Sequence, residues 1–341
     1  MRNDVETARE GVIGVRRWMV RLAGVLAVVC AGCSPSAAPP DGAERGGAGS
    51  AVPFAPYVNA TTAAGTETAG MPSAFHVSFA VASGDDECAP MWDDETAIDD
   101  AAAKKRIGGL RESGADIRVS FGGATDTELA LACDSPAELA AAYEQVLDRT
   151  GAKAADFDIE GDTLGDSAAT ARRAQAIELL QSRRDGLEVS FTLPVMPSGL
   201  TPQGKELLRN AADQDVEISA VNVMAMSYSP SHTGDMGDYA MVAARSTHDE
   251  LTGLLGLSDA DAWRALRLTV MIGVNDIEAE TFTLDDAAQL AAFAAKRDLG
   301  GLSMWSSARD RECAGGEQAE VDETCSGVAQ DKGAFAAALS G

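Results

Sequence analysis

Positive charge is scarce in this chain. Its 341 residues carry 27 Lys and Arg against 53 Asp and Glu, a formal net charge of −26. A polyanionic partner would be repelled, so nucleic acid binding is excluded. The acidic balance says little else, since it also keeps exported surfaces soluble. Histidine is rarer still. His76, His232 and His248 are scattered, no cysteine pair has zinc-like spacing, and no metal site is expected. Tryptophan is sparse too, with four in all, one of them Trp18 near the N-terminus. No long apolar run opens the chain, because the stretch from Leu22 to Gly32 is too short to be a stable span.

That short run still carries information. Arg16, Arg17 and Arg21 precede it and Cys33 follows Ala31-Gly32, so residues 1–33 read as an export signal. Small residues before a cysteine resemble the lipobox of bacterial lipoproteins, although Cys30 stands where Leu is usual. Arg16 to Arg21 also resembles a twin-arginine signal. The expectation is an extracellular protein, held to the membrane by a lipid on Cys33, or else freed by plain signal cleavage. Residues 34–52, rich in Pro, Gly, Ala and Ser, read as a flexible tether. Residues 53–341 remain as one domain, expected to be monomeric and to need no cofactor.

The chemistry concentrates in Ala154-Ala155-Asp156-Phe157-Asp158-Ile159-Glu160-Gly161. Period-two geometry puts Asp156, Asp158 and Glu160 on one strand face, with Phe157 and Ile159 on the other. A solvated acidic face would be the bland reading. A buried row needs protons, a metal or a substrate to answer its charge. Gly161 follows Glu160 and ends the strand, so the last acid sits at a strand tip.

The body alternates apolar runs with helical patterns. The runs are Phe54–Asn59, Phe75–Val81, Ile117–Phe121, Ala155–Glu160, Leu187–Leu193, Val221–Tyr228, Leu268–Val274 and Gly301–Trp305. Ser135-Pro136, Thr201-Pro202 and Thr283-Leu284-Asp285-Asp286 are helix starts. Further helical patterns run near Thr96–Ser113, Ser167–Arg184, Tyr239–Leu255 and Val328–Leu339. Strands and helices interleaved in this way predict a single-domain (β/α)8 barrel of the α/β class. Only the Gly-rich Ala60–Ser73 link looks too short for a full helix, so the first helix is short or missing.

In a barrel the C-terminal strand tips carry the site. They hold Ser120-Phe121-Gly122-Gly123, Glu160, Met226-Ser227-Tyr228, Asn275-Asp276 and Trp305. Taken singly, Gly122-Gly123 is a tight turn, and Tyr228 and Trp305 are core aromatics. Together with Glu160 they form a cup with an acid, a phenol and an aromatic floor, which is what holding and cleaving a sugar requires.

These residues carry a resemblance. Asp156-Phe157-Asp158-Ile159-Glu160 resembles the catalytic strand of glycoside hydrolase family 18, the chitinases and related endo-β-N-acetylglucosaminidases. Ser120-Phe121-Gly122-Gly123, Met226-Ser227-Tyr228 and Met304-Trp305 resemble the family's third, sixth and eighth strand motifs. Phe54-Ala55-Pro56-Tyr57-Val58 and Met271-Ile272-Gly273-Val274-Asn275-Asp276 resemble a bacterial and archaeal subgroup. Two departures stand out: Lys153 occupies a position where the longer acidic motif has Asp, and Ser227 and Ser229, not an acid, flank Tyr228.

The resemblance implies a retaining, substrate-assisted mechanism. Glu160 would be the general acid, its pKa raised by Asp158 and by burial. Asp158 would orient the substrate acetamide and Asp156 would share a proton with Asp158. Tyr228 would donate to the acetamido oxygen, and Trp305 would form the sugar floor. Met226, Ser120, Gly122, Gly123 and Asn275 complete the expected substrate contacts. The implied partners are chitin or N-acetylglucosamine oligosaccharides. With no binding module and few tryptophans, accessible chains are expected over crystalline chitin. An endo-β-N-acetylglucosaminidase, a non-catalytic chitooligosaccharide-binding protein and a metal-dependent hydrolase using the acid row remain alternatives. Order along the barrel places Cys88 beside Cys133, and Cys313 and Cys325 bracket one loop, so disulfides Cys88–Cys133 and Cys313–Cys325 are expected.

Overall fold

All eight apolar runs form parallel strands. They are β1 (Tyr57–Asn59), β2 (Ala74–Ala82), β3 (Asp116–Gly122), β4 (Ala154–Asp158), β5 (Glu188–Met196), β6 (Ala220–Met224), β7 (Leu266–Met271) and β8 (Gly301–Trp305). A computed structural model describes residues 51–62, 72–84 and 87–341. The signal segment with Cys33, nearly all of the tether, and most of the link after β1 lie outside them. Each strand pairs with the next in this numbering. Just ahead of β1, Phe54 bridges Leu302 of β8, with Ala55 N donating to Leu302 O at 2.9 Å and Leu302 N to Pro53 O at 2.8 Å. The first and eighth strands are therefore neighbours, as the (β/α)8 expectation requires.

Register sorts the side chains into layers. Phe121, Phe157 and Phe191 align across β3, β4 and β5. Their rings form a ladder, with centroids 5.4 and 5.8 Å apart, on the face that meets the helices. One residue away, Ser120, Asp156 and Ser190 align on the opposite face. The period of two thus separates an apolar shell from a polar interior in the same three strands.

The helices begin where their caps predict. Ser135 and Thr201 accept from backbone N–H groups ahead of Pro136–Thr150 and Pro202–Asp213, and Thr283 with Asp286 closes a capping box on Leu284–Arg297. Two helices are shorter than their patterns. Thr96–Ala97 pairs with Pro90–Trp92 as strand, so that helix waits for its Asp100 cap and runs Ala101–Glu112. The last is Ala334–Ser340, started by a distant side chain: Asp310 accepts from Phe335 N at 3.0 Å and Ala336 N at 2.9 Å. Both expected disulfides, Cys88–Cys133 and Cys313–Cys325, are present.

Candidate active site

Asp156 lies fully buried in the polar interior and is surrounded by donors. Ser120 Oγ reaches Oδ2 at 2.8 Å, Tyr57 Oη reaches Oδ2 at 3.1 Å, and Ser190 Oγ reaches Oδ1 at 2.6 Å. Thr192 Oγ1 lies 2.9 Å from each oxygen, and His76 Nδ1 stands 3.5 Å from Oδ2. Burial alone would favour the neutral acid. His76 and the serine hydroxyls outweigh it and hold the carboxyl down at about 2. A depressed pKa adds stability above the ordinary value of 3.8, and that stability is lost as pH falls through the folded value.

Asp158 behaves oppositely. Burial first, then the charges of Glu160 and Asp156, push its pKa well above the carboxylate range. Asp158 Oδ1 is buried without a protein hydrogen-bond partner. Glu160 is raised by burial and by the charge of Asp276, while Asp158 works the other way. One expectation changes here: the acid that lifts Glu160 is Asp276, whereas Asp158 lowers it. Asp156 and Asp158 also part in opposite directions, the first held down and the second pushed up. The physical reason is the donors: the oxygens of Asp156 are already occupied by hydroxyls, and the Tyr57 phenol stands between the two aspartates, 3.1 Å from Asp156 and 3.5 Å from Asp158.

Around this row stand the aromatics. Trp305 ends β8 with its ring partly exposed, stacked on Phe79 at 5.7 Å and edge-on to Tyr57 at 5.8 Å. Met226 is half-buried just past β6. Tyr228 is buried, and its hydroxyl has no protein partner, as for a donor kept for a ligand. Burial and the charge of Glu280 keep that phenol protonated. The acid missing beside Tyr228 in sequence is supplied in space. Buried Glu280 accepts from Tyr228 N at 3.1 Å and Ser229 N at 2.9 Å, and Asp276 accepts from Ser227 Oγ at 3.4 Å.

Four expected substrate contacts are engaged otherwise. Ser120 is buried beneath the site on Asp156. Both amide hydrogens of Asn275 go to Met271 O and Gly273 O, and its oxygen accepts from Ser227 N. It holds the β6 tip and has no donor left for a sugar. Gly122 and Gly123 permit close packing. A Cβ on Gly122, at φ +100°, would lie 2.2 Å from the Asp158 carbonyl oxygen, and one on Gly123 would lie 2.9 Å from the Phe79 ring. Gly122→Ala is expected to cost on the order of 3 kcal/mol through strain and displaced backbone. A urea midpoint equal to wild type would show that this approach relaxes freely.

Sequence reasoning passed over Tyr57, His76, Ser190 and Thr192. The serine and threonine had a signal, being spaced two apart inside an apolar run like the acids they serve. Glu280 had none, because its role depends on a loop folding back over the β6 tip.

Fold and site together define the class: an α/β protein of parallel strands with a row of carboxylates running to a strand tip. No protein-family model matches the chain. It is 34% identical over 275 residues, 75% of its length, to the probable bifunctional chitinase/lysozyme of Escherichia coli K12, covering 31% of that protein. Endochitinase 11 of Metarhizium anisopliae is 37% identical over 222 residues, 61% of this chain and 42% of that protein. The chain thus spans less than half the length of either relative. The catalytic domain of a hyperthermophilic chitinase from Pyrococcus furiosus superposes with TM-score 0.74 at 29% identity, over 85% of this chain and 95% of that one. A GH18 chitinase of Flavobacterium johnsoniae shares the fold, with TM-score 0.54 at 15% identity over 75% and 88% of the two chains. This chain belongs to glycoside hydrolase family 18.

Proposed function

We propose that this protein is an exported chitinase-type glycosidase that cleaves β-1,4 bonds between N-acetylglucosamine units with retention of configuration. The observation that carries the reading is the Asp158–Glu160 pair at the tip of β4, Asp158 buried and Glu160 partly exposed, both raised in pKa. Glu160 is held as an acid beside the cleft and gives its proton to the leaving oxygen. Asp158 turns to the acetamide N–H and steadies the oxazolinium as the acetamido oxygen attacks the anomeric carbon. Ionised Asp156 favours positive charge above it, Tyr228 donates to the acetamido oxygen, and Trp305 stacks beneath the ring. Complexes of a Pyrococcus furiosus chitinase domain with chito-oligosaccharides support oligosaccharide as the ligand class. A cation on the acid row is disfavoured, because hydroxyls fill Asp156 and the raised pKa values of Asp158 and Glu160 favour their neutral forms. Activity should therefore survive a chelator.

The test is NMR of products from N-acetylglucosamine oligomers in the first minutes, with a glycoprotein substrate in parallel. A β-anomer is expected, and oligomers deacetylated at the cleaved sugar should resist. An α-anomer sinks the mechanism. Glycan release from the glycoprotein alone would make the protein an endo-β-N-acetylglucosaminidase, and binding without turnover would make it a binding protein.

Asp276 provides a pH prediction. Its charge raises the Glu160 pKa, so Asp276→Asn lowers it and the acid form is lost at lower pH. The alkaline limb of the kcat profile should move to lower pH. The shift should be larger at low salt, because Asp276 is exposed and screened. An unmoved limb would remove Asp276 from the site's electrostatics.

Export and anchoring are proposed from residues 1–33. Cys33→Ser should move the protein from the membrane fraction to the medium. A native protein found wholly in the medium with Cys33 cleaved away would end the lipoprotein reading.

A further inference from the structure

The opposite end of the barrel holds a second polar cavity, of about 340 Å³, walled by the starts of the strands. Its lining includes Arg118 on β3, Arg267 on β7, Ser303 on β8 and, at its inner end, His76 on β2. Arg118 is only 7% exposed and Ser303 only 3%. Four polar atoms here are buried without a hydrogen-bond partner in the protein: Arg118 Nε, Arg267 Nη1, Ser303 Oγ and, 3.5 Å from Asp156, His76 Nδ1. Such groups are costly to leave unpaired.

The charges explain why the protein cannot satisfy them itself. Arg118 has one carboxylate partner, Glu188, whose Oε2 accepts from Nη2 at 3.1 Å, and that glutamate is 58% exposed. Arg267 has no carboxylate partner among the described residues. Burial, and then the like charge of Arg118, press its guanidinium down to about 10. Lys153 and Asp116 add one charge of each sign at the exposed rim. Three cations thus face two rim carboxylates, with Asp156 deeper behind His76. Gathering cations is unusual in a chain of net charge −26.

We propose that this cavity is a binding site for a small oxyanion of the phosphate or sulfate class, distinct from the glycosidase site. Oxyanion oxygens match the spread N–H groups of two guanidiniums, and the Ser303 hydroxyl supplies a further donor. The cavity has room for such an ion with water beside it. Because β3, β7 and β8 contribute the donors, the bound ion ties three strand starts together across the barrel floor. Binding therefore stabilises the fold by mass action, at the barrel face that serves stability rather than chemistry.

The test is calorimetric titration of the purified full chain with inorganic phosphate, then sulfate, with chloride at matched ionic strength. Saturable binding of phosphate or sulfate is expected, with a Tm that rises with ligand concentration beyond the chloride control. Arg267→Gln should weaken binding at least tenfold and abolish the extra Tm rise while leaving glycosidase activity as it was. Arg267→Lys, which keeps the charge but not the fork, should weaken binding to a lesser degree and serves if Arg267→Gln does not fold. A Tm response identical in chloride, no saturable heat in the wild type, or equal binding by the variants would overturn the proposal.

Discussion

Glu160→Gln should lose turnover on the order of 10³-fold, within the range general acid catalysis supplies, while oligosaccharide affinity stays within a few-fold. The amide keeps the shape but has no proton to give. Folding should survive, since Glu160 sits partly exposed at the end of β4 and caps nothing through its side chain. Single-turnover kinetics beside calorimetric binding will separate the two effects. Aryl glycosides, whose leaving groups need little protonation, should recover part of the lost rate. Full activity on oligomers would remove Glu160 from the role of acid.

Asp158→Asn should also lose activity, by on the order of 10²-fold or more, for a different reason. The variant retains Glu160 but cannot balance the positive charge that forms on the oxazolinium. Activated leaving groups should therefore give no rescue, the reverse of Glu160→Gln. Stability supplies an independent readout. The folded pKa of Asp158 is raised, so the native state holds a proton that the unfolded chain releases. Native stability then falls as pH rises from the ordinary carboxylate value toward the folded one. Asparagine does not titrate, so Asp158→Asn should flatten that part of the Tm profile. A variant with the wild-type slope would mean that the proton resides elsewhere in the pair.

These two residues were legible because period two is a short-range rule. Asp156, Asp158 and Glu160 could be placed on one face, and ordered from floor to tip, without knowing what they face. Their protonation was not legible in the same way. Asp156 reads in sequence like its neighbour, yet it is the strong acid of the row. The donors that make it so, Tyr57, His76, Ser120, Ser190 and Thr192, come from β1, β2, β3 and β5. A pKa is set by what surrounds a group, and all five of these donors sit on strands other than the one that carries Asp156.

The same limit explains Asn275 and Glu280. An asparagine at a strand tip suggests a sugar contact, but the loop after β7 turns back and spends that amide on its own backbone. Glu280 looks like one more surface acid in a chain with many, yet it is fully buried and clamps the backbone of Tyr228.

By itself the sequence determined what repeats locally: strands alternating with capped helices, the inward and outward faces of each, the acid row and the cysteine pairs. Only the tertiary structure decided which acid of the row is strong and which are weak, which polar side chains remain free for a ligand, and that two arginines line one cavity at the barrel floor. Periodicity and capping act over a few residues and are written in the order of the chain. Charge, hydrogen bonding and desolvation act through space, so their outcome exists only once β1 through β8 have been brought side by side.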